Sequence, residues 1–134
     1  MVTGSCHCGA VRFEITAEIR EFKHCHCHTC RKIHGTVYGS SALVSSDGFR
    51  VVEGKDRLRR YESFPGKRRC FCENCGSHLF AYYENDPTFV ILRLGTVDGL
   101  EDIRPVAHIW VNEKAPWYTI HDDLPQFQGA YEVP

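Results

Sequence analysis

Residues 70–84 read CFCENCGSHLFAYYE: three cysteines in six positions, then a run rich in aromatic residues. The run has the composition of a strand, and the cysteines in front of it carry the spacing of metal ligands. The same C-x-C-x-x-C pattern recurs at Cys25, Cys27 and Cys30 inside KHCHCHTCRK (residues 23–32), and a shorter C-x-C stands at Cys6 and Cys8. The eight thiols thus come in groups of three, three and two. Residues i and i+2 of an extended chain share a face about 6.5–7 Å apart, so a C-x-C pair closes on one ion if the backbone bends locally, and a C-x-x-C pair does so through a tight turn.

Outward from this stretch the pattern is of short strands. AVRFEI (10–15), TVYGSSALV (36–44), FRVV (49–52), RLRRYESF (57–64), HLFAYYE (78–84) and TFVILRL (88–94) are β-branched and aromatic. They are parted by SSDG, FPGK, ENDP and VDGL, which offer the preset or positive φ angles that turns need. No long window shows an apolar period near 3.6, although HTCRKIHG (28–35) suits one helical turn after the cysteines. The tail KAPWYTIHDDLPQFQGAYEVP (114–134), with three prolines, reads as an extended segment. The expected fold is mainly β and antiparallel, with little or no helix.

A chain of 134 residues fits one compact domain, 1–134. A formal net charge of −1 provides no general field for a polyanion, so nucleic acid is an unlikely partner. No apolar run approaches the roughly 20 residues that cross a bilayer, which speaks against a membrane partner, and the start MVTGSCHCGA lacks the pattern of a signal peptide. The expected location is cytoplasmic, where clustered thiols bind metal more often than they form disulfides.

Spacing alone leaves the division of the thiols open. One solution closes a four-thiol site from Cys6, Cys8, Cys72 and Cys75, leaves Cys25, Cys27 and Cys30 as a three-thiol site, and sets Cys70 apart. Another adds Cys70 to the triplet and makes two closed sites. A complete tetrahedron of protein ligands is structural, and three protein ligands leave a position for chemistry. Metal that serves only as scaffold explains the count equally well, because small β domains commonly need such staples.

The stretches GSCHCGAVRFEI, CHCHTCRK, FCENCGSHLF and PVAHIWVNEKAPW together resemble the glutathione-dependent formaldehyde-activating enzyme family, also called S-(hydroxymethyl)glutathione synthases, which includes centromere protein V. The likeness covers nearly the whole chain. It implies a small zinc-stapled domain of twisted antiparallel sheets with two Zn²⁺ sites: a structural one at Cys6, Cys8, Cys72 and Cys75, and a catalytic one at Cys25, Cys27 and Cys30. It also implies a carbon–sulfur lyase activity on the adduct of glutathione, or a related small-molecule thiol, with formaldehyde or another small carbonyl compound. The alternative, with the centromere branch as precedent, is a non-catalytic zinc-binding module for protein or nucleic acid. Cys70 has no counterpart in the family motif and reads as a small buried side chain.

Three thiolates on Zn²⁺ leave a net charge of about −1, a weak Lewis acid that suits a thiol better than water as a fourth ligand. If residues 24–28 are extended, His24, His26 and His28 project away from the thiols, whereas His34 is placed to reach back toward them. Seven cations between Lys55 and Arg69 form a basic hairpin, read as a solvated face balanced by acids rather than as a grip for the carboxylates of glutathione. Trp110, Trp117 and Phe127 read as core before they read as pocket walls.

Overall fold

The computed structural model describes residues 1–132, so the last two residues of the tail segment, 133–134, lie outside the described residues. Its strands are β1 (Val2–Ser5), β2 (Arg12–Ile15), β3 (Arg20–Cys25), β4 (Gly39–Ser45), β5 (Phe49–Glu53), β6 (Leu58–Phe64), β7 (Lys67–Cys72), β8 (His78–Tyr83), β9 (Asp86–Arg93) and β10 (Ala107–Ile109). Among the described residues there is one α-helix, α1 (His28–His34), so the fold is mainly β as expected. Each of the six segments read as strands overlaps one. By contact density the chain divides into two compact units, the first made of Met1–Arg20 and Ala42–Asp102, the second of Glu21–Ser41 and the chain from Ile103 onward.

In the first unit β1, β2 and β5 form an antiparallel sheet in which Phe13 lies opposite Gly4 on one side and Val51 on the other. Strands β6 to β9 run as an antiparallel meander, with Cys70 opposite Phe80 and Phe80 opposite Leu92. The alternating side chains that these registers point inward make the core. Val11, Phe13, Ile15, Val44, Leu79 and Leu92 are at most 1% exposed, and Phe49 packs its ring 5.4 Å from Phe13 and 4.8 Å from Phe80. Burial of side chains this size contributes about 1.5–3 kcal/mol each.

Gly54 marks a point where backbone meets backbone. Its φ is +80°, and a Cβ there would sit 2.0 Å from the carbonyl oxygen of Ala10. Gly54→Ala is therefore expected to cost at least about 2–3 kcal/mol, read as a lowered denaturant midpoint at unchanged slope.

The second unit is built differently. Here β10 pairs with β3 in parallel, placing His108 beside His24 and Ile109 beside Cys25, an exception to the expected antiparallel pattern. The strand ends at Cys25, and the chain then turns into α1. Cys27 is the N-cap, its Sγ accepting from the Cys30 amide at 3.3 Å, and Gly35 closes the helix in the left-handed region at φ 58°. Glu113 accepts a further bond from the His28 amide at 2.9 Å. The buried residues are Cys25, His26, Cys30, Gly39, Ser41, Ala107, His108 and Ala115; no Leu, Ile, Val or Phe among the described residues of this unit is buried.

Candidate metal centres

The first unit gathers Cys6, Cys8, Cys72 and Cys75, with all four sulfurs within 4.8 Å of one another. Each pair comes from a bend that makes its own backbone hydrogen bonds. Cys6 N donates to Val11 O and Gly9 N to Cys6 O in the turn after β1, while Val11 N donates to the Cys6 sulfur at 3.3 Å. At the end of β7, Gly76 N donates to Cys72 O and Cys72 N to Ser77 O. The Ser77 hydroxyl ties the two bends by accepting from His7 N at 2.9 Å.

Four sulfurs at about 2.3 Å from a tetrahedral ion stand about 3.8 Å apart. The Cys6–Cys8 and Cys8–Cys72 separations are 3.6 and 3.8 Å, so the donor set and its spacing fit zinc. The thiols differ in acidity. A hydrogen bond with the Ser77 hydroxyl brings Cys75 down to about 5, a hydrogen bond with Asn74 lowers Cys8, and burial pushes Cys6 up to about 11.

The second unit gathers Cys25, Cys27 and Cys30, again within 4.8 Å of one another. A strand end, a helix cap and the first helical turn supply one thiol each, which is why the C-x-C-x-x-C spacing closes on a point. Gly39 of β4 allows the close packing: a Cβ there would stand 3.4 Å from the Cys30 Cβ and 3.6 Å from its sulfur. Ionisation of Cys25 is opposed by its hydrogen bonds with Cys27 and Cys30, then by burial. Three thiols this close resist sharing negative charge, a conflict that a divalent cation relieves. Two clusters compatible with zinc are thus present, and Cys70 belongs to neither. It is fully buried, and that burial raises its thiol to about 11.

The histidines depart from the expectation of an extended 24–28. Only His24 lies in the strand, His26 follows it, and His28 opens the helix in an exposed position. His26 is wholly buried, with rings of Tyr38 and His108 at 5.0 Å and of Tyr118 at 6.2 Å. His24 stacks 4.1 Å from Tyr38 and bonds the Ser40 hydroxyl at 3.0 Å. His34 comes close to the triplet, its ring carbon and Cys30 Cβ both lying 3.4 Å from the place of a Gly39 Cβ. Tyr38, Tyr118, His108 and Asp122 were not singled out by sequence reasoning. Of these only His108 lies in a stretch that carries the family resemblance, PVAHIWVNEKAPW.

The basic hairpin is in part paired with acids. Arg57 and Arg59 pair with Glu73, Arg68 with Glu62 and Glu84, and Lys67 lies over the Tyr83 ring at 5.3 Å. Two other cations, Arg31 and Lys32, line an open cavity of about 460 Å³ with Gly35, Thr36, Val37 and Trp117. Trp117 is 71% exposed and Trp110 36%, so neither tryptophan is core.

His78, stacked on Phe71 at 5.3 Å, is brought down to about 4 by burial and by the Arg93 and Arg69 cations. Its folded value lies below the unfolded one near 6.5, so the unfolded chain takes the proton first. The stability that His78 contributes is complete above about pH 6.5 and lost as the pH falls toward 4. A His78→Gln variant is expected to lose less stability than the parent between pH 6.5 and 4, measured by urea unfolding at each pH.

The class that fold and clusters define is a mainly β protein with one four-thiol and one three-thiol cluster, both compatible with zinc. A family model described as "Glutathione-dependent formaldehyde-activating enzyme" matches residues 1–113. The chain belongs to that family. A Halomonas elongata protein named "Putative glutathione-dependent formaldehyde-activating enzyme" is 30% identical over 128 residues, covering 90% of this chain and 81% of its own. An uncharacterised lyase of Schizosaccharomyces pombe is 24% identical over 124 residues, covering 92% of this chain and 88% of its own. The crystal structure of a Rhodobacter sphaeroides protein superposes with a TM-score of 0.63 at 24% identity, over 75% of this chain and 91% of the other, and shows the same fold.

Proposed function

We propose that this protein is a zinc-dependent carbon–sulfur lyase that makes and breaks the adduct of glutathione, or a related thiol, with formaldehyde or another small carbonyl compound. The observation that carries this reading is the unequal pair of thiol clusters, four cysteines in one and three in the other. Family membership and the lyase name of a relative support it. In this reading Cys6, Cys8, Cys72 and Cys75 hold a structural zinc, and Cys25, Cys27 and Cys30 hold the zinc of the reacting site. A zinc ion held by three thiolates supplies a soft centre that favours a thiolate over water.

The chain's own residues do the remaining work. The strand end, helix cap and helical turn fix the three sulfurs before any substrate arrives. Arg31 follows Cys30 directly, and with Lys32 it offers two cations to the carboxylates of a glutathione-like thiol, beside the exposed face of Trp117. In the forward direction the thiol gives up its S–H proton and a sulfur–carbon bond forms as the carbonyl π pair moves to oxygen, which takes up a proton; in the reverse the hydroxyl gives up its proton, the sulfur–carbon bond breaks and its pair leaves on sulfur, which is reprotonated. A single domain over 1–134 and a cytoplasmic location belong to the same proposal. The family match runs through segments of both units, and no described helix is long and apolar enough to cross a membrane.

The test is an exchange NMR measurement of ¹³C-formaldehyde with S-hydroxymethylglutathione. The zinc-loaded protein is expected to raise the exchange rate above the uncatalysed background; a rate equal to background with loaded protein overturns the proposal.

A further inference from the structure

The second unit contains a chain of buried polar rings that the thiol chemistry does not use. His26 Nε2 lies 2.8 Å from His108 Nδ1, and His108 Nε2 lies 2.9 Å from one oxygen of Asp122 and 3.2 Å from the other. Both imidazoles are fully buried, whereas the Asp122 side chain is 46% exposed. An ionised carboxylate only accepts, so His108 Nε2–H is the donor to Asp122. In a neutral imidazole the other nitrogen is then an acceptor, so His108 Nδ1 receives the bond from His26 Nε2–H. That leaves a lone pair on His26 Nδ1.

His26 Nδ1 is buried and has no hydrogen-bond partner among the described residues. A buried acceptor without a donor costs about 1–3 kcal/mol. The rings of Tyr38 and Tyr118 pack 5.0 and 6.2 Å from the His26 ring. In the proposed reaction the adduct has a donor to give this acceptor: the hydroxyl on its carbonyl-derived carbon. His26 sits between Cys25 and Cys27, so this acceptor belongs to the same turn as two of the three thiols.

Resting on the proposed lyase reading for the identity of the donor, we propose that Asp122, acting through His108, fixes the tautomer of His26 so that its Nδ1 accepts the hydroxyl of the thiol–carbonyl adduct and orients it at the three-cysteine site. His108 and Asp122 are positioning residues, and His26 is the residue that touches substrate. The Asp122 carboxyl is kept low by its bond from His108, which keeps the acceptor end of the chain ionised.

The tautomer is read directly by long-range ¹H–¹⁵N NMR of the zinc-loaded protein at neutral pH, without substrate. The expected result is a protonated His26 Nε2 and an unprotonated Nδ1. In Asp122→Ala the two tautomers should mix, and in Asp122→Glu the parent pattern should return; a folded Asp122→Ala with the parent pattern overturns the proposal. A protonated Nδ1 in the parent overturns it as well.

The second arm titrates S-(2-hydroxyethyl)glutathione, a stable thioether alcohol. The His26 Nδ1 resonance should shift as it gains a hydrogen bond, and Asp122→Ala should lower kcat/KM for the adduct about tenfold, the loss of one hydrogen bond. No shift at saturating analogue overturns substrate contact. A protein with the expected tautomer and analogue shift but no exchange activity would discard the lyase reading while keeping the oriented acceptor. An active protein with the opposite tautomer would do the reverse.

Discussion

Cys72→Ser is expected to abolish cooperative unfolding altogether, while Cys70→Ala, two residues earlier on the same strand, lowers stability by only about 1–1.5 kcal/mol. Both side chains are fully buried, so burial does not separate them. Cys72 is one of four sulfurs gathered within 4.8 Å, and Cys70 stands outside the cluster. A structural zinc contributes on the order of 10–16 kcal/mol, comparable to or above the 5–15 kcal/mol by which a domain is stable at all. Serine in place of Cys72 removes a ligand and leaves a buried hydroxyl among the remaining thiols. Chemical denaturation followed by circular dichroism measures both variants, with zinc content determined in parallel. A Cys72→Ser protein that unfolds cooperatively near the parent midpoint would remove the four-thiol cluster from the stability of the fold.

The second large effect is on activity. Cys27→Ser is expected to slow adduct exchange about 10²–10³-fold, the scale on which removal of one group from a reacting centre is felt. Cys27 has two duties, as one of three sulfurs and as the cap that accepts the Cys30 amide at 3.3 Å. Serine retains the second duty, because its hydroxyl is a preferred N-cap, so the helix should persist while the sulfur set is broken. The measurement is the exchange rate of the variant beside its circular dichroism and zinc content. Parent and variant rates that agree would take the triplet out of the chemistry.

Much of the architecture is legible in residue chemistry. Segments rich in Val, Ile, Phe and Tyr form the strands that they suggest, and HTCRKIHG forms its helix because Cys27 and Gly35 cap it. Strands β3 and β7 escape such a reading. REFKHC and KRRCFC carry charges and thiols where propensity looks for branched and aromatic side chains, and it is pairing with neighbouring strands that makes them extended. The thiol clusters are legible because ligand spacing is local. The His26–His108–Asp122 chain is not, because its members come from three separate stretches and a single histidine carries no spacing signal. Alternation of side chains correctly turns His24 away from the face of Cys25, but the argument lapses where β3 ends, and His26 and His28 are placed by the turn instead.

The absence of buried Leu, Ile, Val and Phe among the described residues of the second unit has a thermal consequence. Opening a hydrocarbon core raises heat capacity by about 0.45 cal/K/mol per Å² of apolar surface, and that rise curves the stability of a domain with temperature. A unit whose Phe22, Ile33, Ile109 and Phe127 are only half-buried exposes less such surface when it opens than one with a closed hydrocarbon core. On the proposed zinc reading, the order of the unit follows the free metal of the surroundings more than warming or cooling, and the three-cysteine site shares that dependence.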